Sequence, residues 1–193
     1  QTFNDKTLKI IGRKHTAEDI IEKYGLAKEY GFDVNMDLIA GLPDESFEDF
    51  KHSIDTAVSL SPDNITVHTL SLKKGSILKE KVERLPEGEI DKMINYSAYK
   101  LINEGYEPYY MYRQKYMAGN LENTGYTKKG KACVYNIDVM EEIADNPACG
   151  ANAVSKRFFP SEDRITRYGS PKDIATYIAK IDKIISDKEE FFG

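Results

Sequence analysis

Asn35-Met36-Asp37-Leu38-Ile39-Ala40-Gly41-Leu42-Pro43 first alternates and then turns. Over 33–39, Val34, Met36 and Leu38 fall on one face of a strand, and Asn35, Asp37 and Ile39 on the other. Gly41-Leu42-Pro43 closes the strand with turn chemistry. Asp37 is the informative residue. A carboxylate in a strand with an apolar face needs partners, because burying it unpaired is costly.

Outward from this strand, the period changes to that of helices. Upstream, Thr16 and Asp19 form a Thr-x-x-Asp signal that resembles a capping box. Ile20, Ile21, Tyr24 and Ala27 follow at helical spacing, and Gly31 marks a stop. Downstream, Ser46 and Asp49 offer a second cap before the stripe Phe47, Phe50, Ile54, Ala57 and Val58, which Pro62 ends. The span 64–70 is rich in β-branched residues and reads as another strand. Helix, strand, helix, strand with short connections predicts parallel strands joined by crossover helices. Two such strands cannot close a sheet, and the chain opens on Gln1 and not on methionine. It is therefore expected to be part of something longer.

After Leu72 the pattern changes. Lys73-Lys74-Gly75-Ser76 reads as a polar loop, and Pro86 precedes a helix over 89–103 striped by Ile90, Met93, Ile94, Ser97 and Leu101. Strands are expected over 107–112, 131–138, 151–159 and 164–168. A polar, Asn-rich loop is expected over 113–125. Ser170-Pro171 is expected to start a last helix carrying Ile174, Tyr177, Ile178, Ile181 and Ile185 as its stripe. The expected domains are 1–72 and 73–193.

A net charge of −5 argues against a broad nucleic-acid-binding surface. No apolar run approaches the roughly 18 residues of a membrane span. A soluble cytoplasmic protein is expected. The two cysteines, Cys133 and Cys149, fit no metal-binding spacing and read as small buried hydrophobes.

Several stretches together resemble one family. Gln1-Thr2-Phe3-Asn4-Asp5, with Leu8 and Gly12-Arg13, resembles the stretch after a central barrel strand in oxygen-independent coproporphyrinogen III oxidases. The quoted segment from Asn35 to Pro43 is similar to that family's Asp-Leu-Ile-x-Gly-Leu-Pro. The stretch from Ser61 to Leu70 resembles the strand two elements on. Tyr112-Arg113-Gln114 with Gly119-Asn120-Leu121-Glu122-Asn123 resembles the coproporphyrinogen dehydrogenase branch of Gram-positive bacteria.

The resemblance implies an α/β fold: the second half of a partial (β/α)6 radical S-adenosylmethionine (SAM) barrel, then a mixed α+β C-terminal domain that covers the substrate. It implies two cofactors, SAM and a [4Fe–4S] cluster. The Cys-x-x-x-Cys-x-x-Cys loop that would hold the cluster is absent from this sequence. The family reaction cleaves SAM reductively, and the resulting radical takes hydrogen from a propionate of coproporphyrinogen III. Loss of CO2 and an electron leaves a vinyl group, and two rounds give protoporphyrinogen IX. The implied partners are the tetrapyrrole and an electron donor such as flavodoxin or ferredoxin. Relatives that bind haem and deliver it supply an alternative, and a radical SAM enzyme with another substrate is a third. The chain alone is expected to be catalytically silent, to bind SAM at best weakly, and to hide an exposed strand edge by self-association.

Against that family, Asp37, Arg13 and Gln1 match positions that contact SAM, Ser71 one that does so through its backbone, and Val154 one near the adenine. The residues themselves favour Asp37, whose carboxylate suits ribose hydroxyls or an amino group. Arg13 also suits the role, since a guanidinium before a capped helix can grip a carboxylate. For the tetrapyrrole, Tyr112, Arg113, Lys115, Tyr116 and Asn120 offer cations and aromatic faces in one short span, with Lys73 and Lys74 as added charge. Of the three histidines, only His68 falls in an expected strand; it reads as a ligand contact or a hydrogen-bonded core residue.

Overall fold

The first strand and its neighbour pair as the alternation requires. In a computed structural model describing residues 1–71, 85–113 and 121–193, β1 (Asn35–Ala40) and β2 (Asn64–Thr69) are parallel. Asp37 sits opposite Thr66, and Ile39 opposite His68. Helix α3 (Phe47–Leu60) makes the crossover, after α1 (Asp5–Ile10) and α2 (Ala17–Glu29). Capping boxes at Thr16 and Ser46 satisfy the first orphan N–H groups of α2 and α3. Ser61 ends α3 in the left-handed conformation, directly before Pro62.

Helix α4 (Glu87–Asn103) follows, then β3 (Glu107–Tyr112) and β4 (Asn123–Thr127). The sheet order is β1-β2-β4-β3, and both pairings of β4 are antiparallel. The outer face of the sheet carries Leu38, Ala40, Ile65, Val67 and Tyr126. They pack with Phe50, Ile54 and Ala57 of α3 and Ile90, Met93 and Leu101 of α4 in one buried cluster. Each of these aliphatic side chains adds about 1.5–3 kcal/mol on burial. The division drawn at residue 72 marks the end of the parallel strands. The compact unit runs on to Cys133, because β4 pairs with β2.

The second unit, Val134–Gly193, contains α5 (Val134–Glu141), the hairpin of β5 (Val154–Phe159) with β6 (Arg164–Gly169), α6 (Ile174–Ala179) and α7 (Ile181–Phe192). Arg157 and Arg164 stand over the Phe159 ring at 4.9 and 4.2 Å. Glu142 accepts from Lys156 and Arg167 at 2.5 and 2.9 Å.

Four expectations are corrected. The strand over 131–138 is instead largely α5: among the described residues no strand pairs with it, and a helix satisfies its own backbone where a strand cannot. The loop over 113–125 gives way to β4 at Asn123. The last helix is two helices that meet at Lys180, capped by Asp173 and not by Ser170. That break rotates the stripe, so Ile174, Ile178 and Ile185 are exposed and Ile184 is the buried residue. The cysteines are not buried: Cys133 is intermediate and Cys149 exposed. The polar loop of Lys73 and Lys74 lies outside the described residues.

Candidate active site

The inner face of the sheet is polar where the outer face is apolar. Strand parity and register put Asn35 and Asp37 of β1, Thr66 and His68 of β2, Asn123 and Gly125 of β4, and Tyr110 and Tyr112 of β3 on it. This face meets two cavities, the smaller of them near the carboxyl ends of the parallel strands. One, of about 810 Å³, runs beside β1 under α2. The other, of about 270 Å³, is lined by His68, Thr69, Ser71, Tyr112 and Asn123. Gln1 and Asp37 line both. Gln1 is fixed there because its carbonyl accepts from the Ile39 N–H at 3.0 Å.

Asp37 has the sharpest environment. Partial burial would raise its pKa. The His68 imidazole, Asn35 and Thr66 outweigh that and hold the carboxyl below its ordinary range. Asn35 Nδ2 donates to Oδ1 at 2.8 Å, and His68 Nε2 lies 3.6 Å from the same oxygen. The other ring nitrogen, Nδ1, is 3.2 Å from the Tyr112 hydroxyl. Thr66 Oγ1 meets the Tyr110 hydroxyl at 3.1 Å. Glycine at 125 makes that contact possible, because a Cβ there would stand 1.9 Å from Tyr110 Cε1. Asn123 Oδ1 accepts from the Thr69 N–H at 2.8 Å and ties the end of β2 to the start of β4.

Three buried polar atoms of the cavity-lining residues lack a hydrogen-bond partner: Gln1 Oε1, Thr69 Oγ1 and Asn123 Nδ2. Buried polar atoms are rarely left so. Beside them a second buried group supports the same loops. Thr2 Oγ1 donates to Glu45 Oε1, and Ser53 Oγ accepts from the Phe3 N–H at 3.0 Å. Burial pushes the Glu45 carboxyl up to about 7, although Thr2 and Thr7 pull it down.

Of the residues singled out in the sequence, the structure brings Gln1, Asp37, Ser71 and Tyr112 to the smaller cavity. Arg13 is exposed. Arg113 is paired with Glu122 at 2.9 Å on the surface. Val154 opens β5 in the second unit and is half exposed. Lys115, Tyr116 and Asn120 lie outside the described residues. Sequence reasoning missed Tyr110, Gly125 and Glu45, and named Asn35, Thr66 and Asn123 only as parts of motifs. Parity along β2 was the available signal for Thr66, but it becomes usable only once the register with β1 is known.

The Radical SAM superfamily model matches residues 1–57. The chain is 39% identical over 195 aligned residues to the oxygen-independent coproporphyrinogen-III oxidase-like protein HemZ of Bacillus subtilis, covering 99% of this chain and 39% of HemZ. It is 28% identical to the heme chaperone HemW of Haemophilus influenzae, covering 92% of this chain and 43% of HemW. Coproporphyrinogen III oxidase HemN from Escherichia coli, a radical SAM enzyme, superposes with a TM-score of 0.68 at 17% identity. That match covers 95% of this chain and 42% of HemN, and it shares the fold. The chain thus spans about two fifths of the length of the relatives it matches.

Proposed function

We propose that this chain, whose matches are to radical SAM proteins of the oxygen-independent coproporphyrinogen-III oxidase-like family, is the SAM-holding part of an enzyme that oxidatively decarboxylates coproporphyrinogen III. The observation that carries this reading is the inner sheet face. The Asp37 carboxylate, held below its ordinary range, shares a cavity with Gln1, Thr69 and Asn123, each with a buried polar atom that lacks a partner, in a chain whose 39%-identical relative is named an oxidase-like protein.

The residues present fit SAM. Asp37 accepts from ribose hydroxyls or an ammonium group. Gln1 Oε1 offers an acceptor, and Asn123 Nδ2 and Thr69 Oγ1 offer donors. The Ser71 backbone and Arg13 complete the set. The described residues do not fit the iron–sulfur cluster: no group of three or more His, Cys, Asp or Glu side chains there could hold a metal. The cluster is assigned to the rest of the protein. When bound, SAM supplies the one-electron chemistry that takes a hydrogen atom from the substrate. This chain's own residues place the cofactor through Asp37 and leave the aromatic β3 edge, with Tyr112 and Arg113, for the tetrapyrrole and its propionates. Each round converts one propionate to a vinyl group with loss of CO2, a hydrogen atom and an electron. The electron passes to an acceptor, and flavodoxin or ferredoxin serves as the donor that starts each cycle.

The test uses full-length, anaerobically reconstituted protein with SAM, reductant and coproporphyrinogen III. Protoporphyrin after oxidation, lost in Asp37→Ala, supports the reading. SAM cleavage without porphyrin product discards the substrate. A second reading, a haem carrier, is favoured by the matches to several heme chaperones. Tight haem uptake without SAM cleavage would establish it.

A further inference from the structure

His68 stands between two groups of opposite demand. Its Nδ1 is 3.2 Å from the Tyr112 hydroxyl, and its Nε2 is 3.6 Å from Asp37 Oδ1. A neutral imidazole has one N–H and one acceptor nitrogen, and an ionised carboxylate only accepts. With the imidazole neutral, the arrangement that serves both contacts has the proton on the nitrogen facing Asp37 and the Tyr112 hydroxyl donating to the other. One tautomer satisfies both contacts. Asn35 Nδ2 donates to the same Oδ1 at 2.8 Å. The contacts of Asn35 and His68 are both to Oδ1 of Asp37, which leaves Oδ2 toward a ligand.

The relay lies on the wall of the site. The His68 side chain is 22% exposed and lines the smaller cavity. Tyr112 is braced by the Tyr110 ring, stacked at 6.3 Å and 12°. Tyr110 in turn is seated over Gly125 and held at Thr66. The titratable groups around His68 are Asp37 from β1 and Tyr110 and Tyr112 from β3; β4 contributes the neutral Asn123 to the same face.

We infer that His68 is a positioning residue: held in its Nε2–H tautomer by Tyr112, it aims the Asp37 carboxylate so that the second oxygen receives the hydroxyl or ammonium donors of the cofactor. The inference rests on the reading that Asp37 binds SAM. Orienting a ligand group through a hydrogen-bonded partner behind it is a general device, and losing such a partner weakens binding without removing the ligand itself.

The test has two independent readouts on the full-length protein. The first is ¹⁵N NMR of histidine-labelled protein without ligand, with the His68 signal assigned by its loss in His68→Gln. The expected result is an unprotonated Nδ1 and a protonated Nε2, with Tyr112→Phe shifting the balance toward the other tautomer. The second is the affinity for S-adenosylhomocysteine. Tyr112→Phe and His68→Gln are each expected to weaken it about tenfold. In an Asp37→Asn background, His68→Gln is expected to add no further loss. An unchanged His68 spectrum in Tyr112→Phe, or wild-type affinity in both single variants, overturns the inference. If the wild-type protein binds no S-adenosylhomocysteine, the cofactor reading falls, and the ¹⁵N spectrum still decides whether the relay exists.

Discussion

Glu45 and Asp37 are two carboxylates with opposite fates, and environment alone separates them. Asp37 lies at an accessible face with an imidazole and an amide beside it, so it stays ionised. Glu45 is 1% exposed, and burial outweighs its hydroxyl donors. The sign of its pH effect follows. A carboxyl raised from 4.5 to about 7 binds its proton more tightly in the folded chain than in the unfolded one. Its contribution is whole below the unfolded value and is lost as pH rises through about 7. The loss is of order 3 kcal/mol. Melting temperature is therefore expected to fall between about pH 5 and about pH 8, and Glu45→Gln should flatten that slope. Differential scanning fluorimetry across the range checks it; equal slopes in the two proteins would assign the pH dependence elsewhere. For Asp37, Ala and Asn substitutions are expected to weaken SAM binding at least about tenfold while leaving the melting temperature near wild type, because the side chain is half exposed. A large drop in melting temperature would make Asp37 structural.

Among the elements, β4 and α3 carry the sharpest expectations. Glycine is uncommon inside a strand, and Gly125 is there because the Tyr110 ring occupies the space of its side chain. Gly125→Val must expel that ring, and with it the brace on Tyr112. The expected result is a loss of more than about 2 kcal/mol in urea unfolding, larger than a generic surface change. A near-neutral Gly125→Val would mean that the ring is not packed there. On α3, the capping box at Ser46 predicts about 1 kcal/mol lost in Ser46→Ala. Fully buried Ile54 predicts about 2–5 kcal/mol in Ile54→Ala. Both follow from chemical denaturation. These caps and stripes were legible because they are local: Ser-x-x-Asp and the apolar spacing of Phe50, Ile54 and Ala57 act within one helix. The misread segment over 131–138 carries strand-favouring Val134, Tyr135 and Ile137, but whether such residues become a strand depends on a partner ladder, which local sequence does not contain.

At the scale of the whole molecule, the chain carries about two fifths of its relatives' length, and its sheet leaves β1 at one edge. Alone it is expected to yield no 5′-deoxyadenosine from SAM. It is also expected to self-associate in sedimentation, since an open strand edge invites pairing; a strict monomer would count against that expectation. The sequence by itself determined the parallel β–α–β unit, the stripes of α3 and α4 and the family, and it singled out Asp37, because each depends on residue types at short spacing. Only the tertiary structure decided that β4, entering from far along the chain, lies antiparallel beside β2. That pairing seats Tyr110 over Gly125 and brings Tyr112, His68 and Asp37 into one line. The reason is physical. The line is built across three strands whose mutual register is set by which face is buried, and a shift of one residue in any of them would turn its side chains to the opposite side.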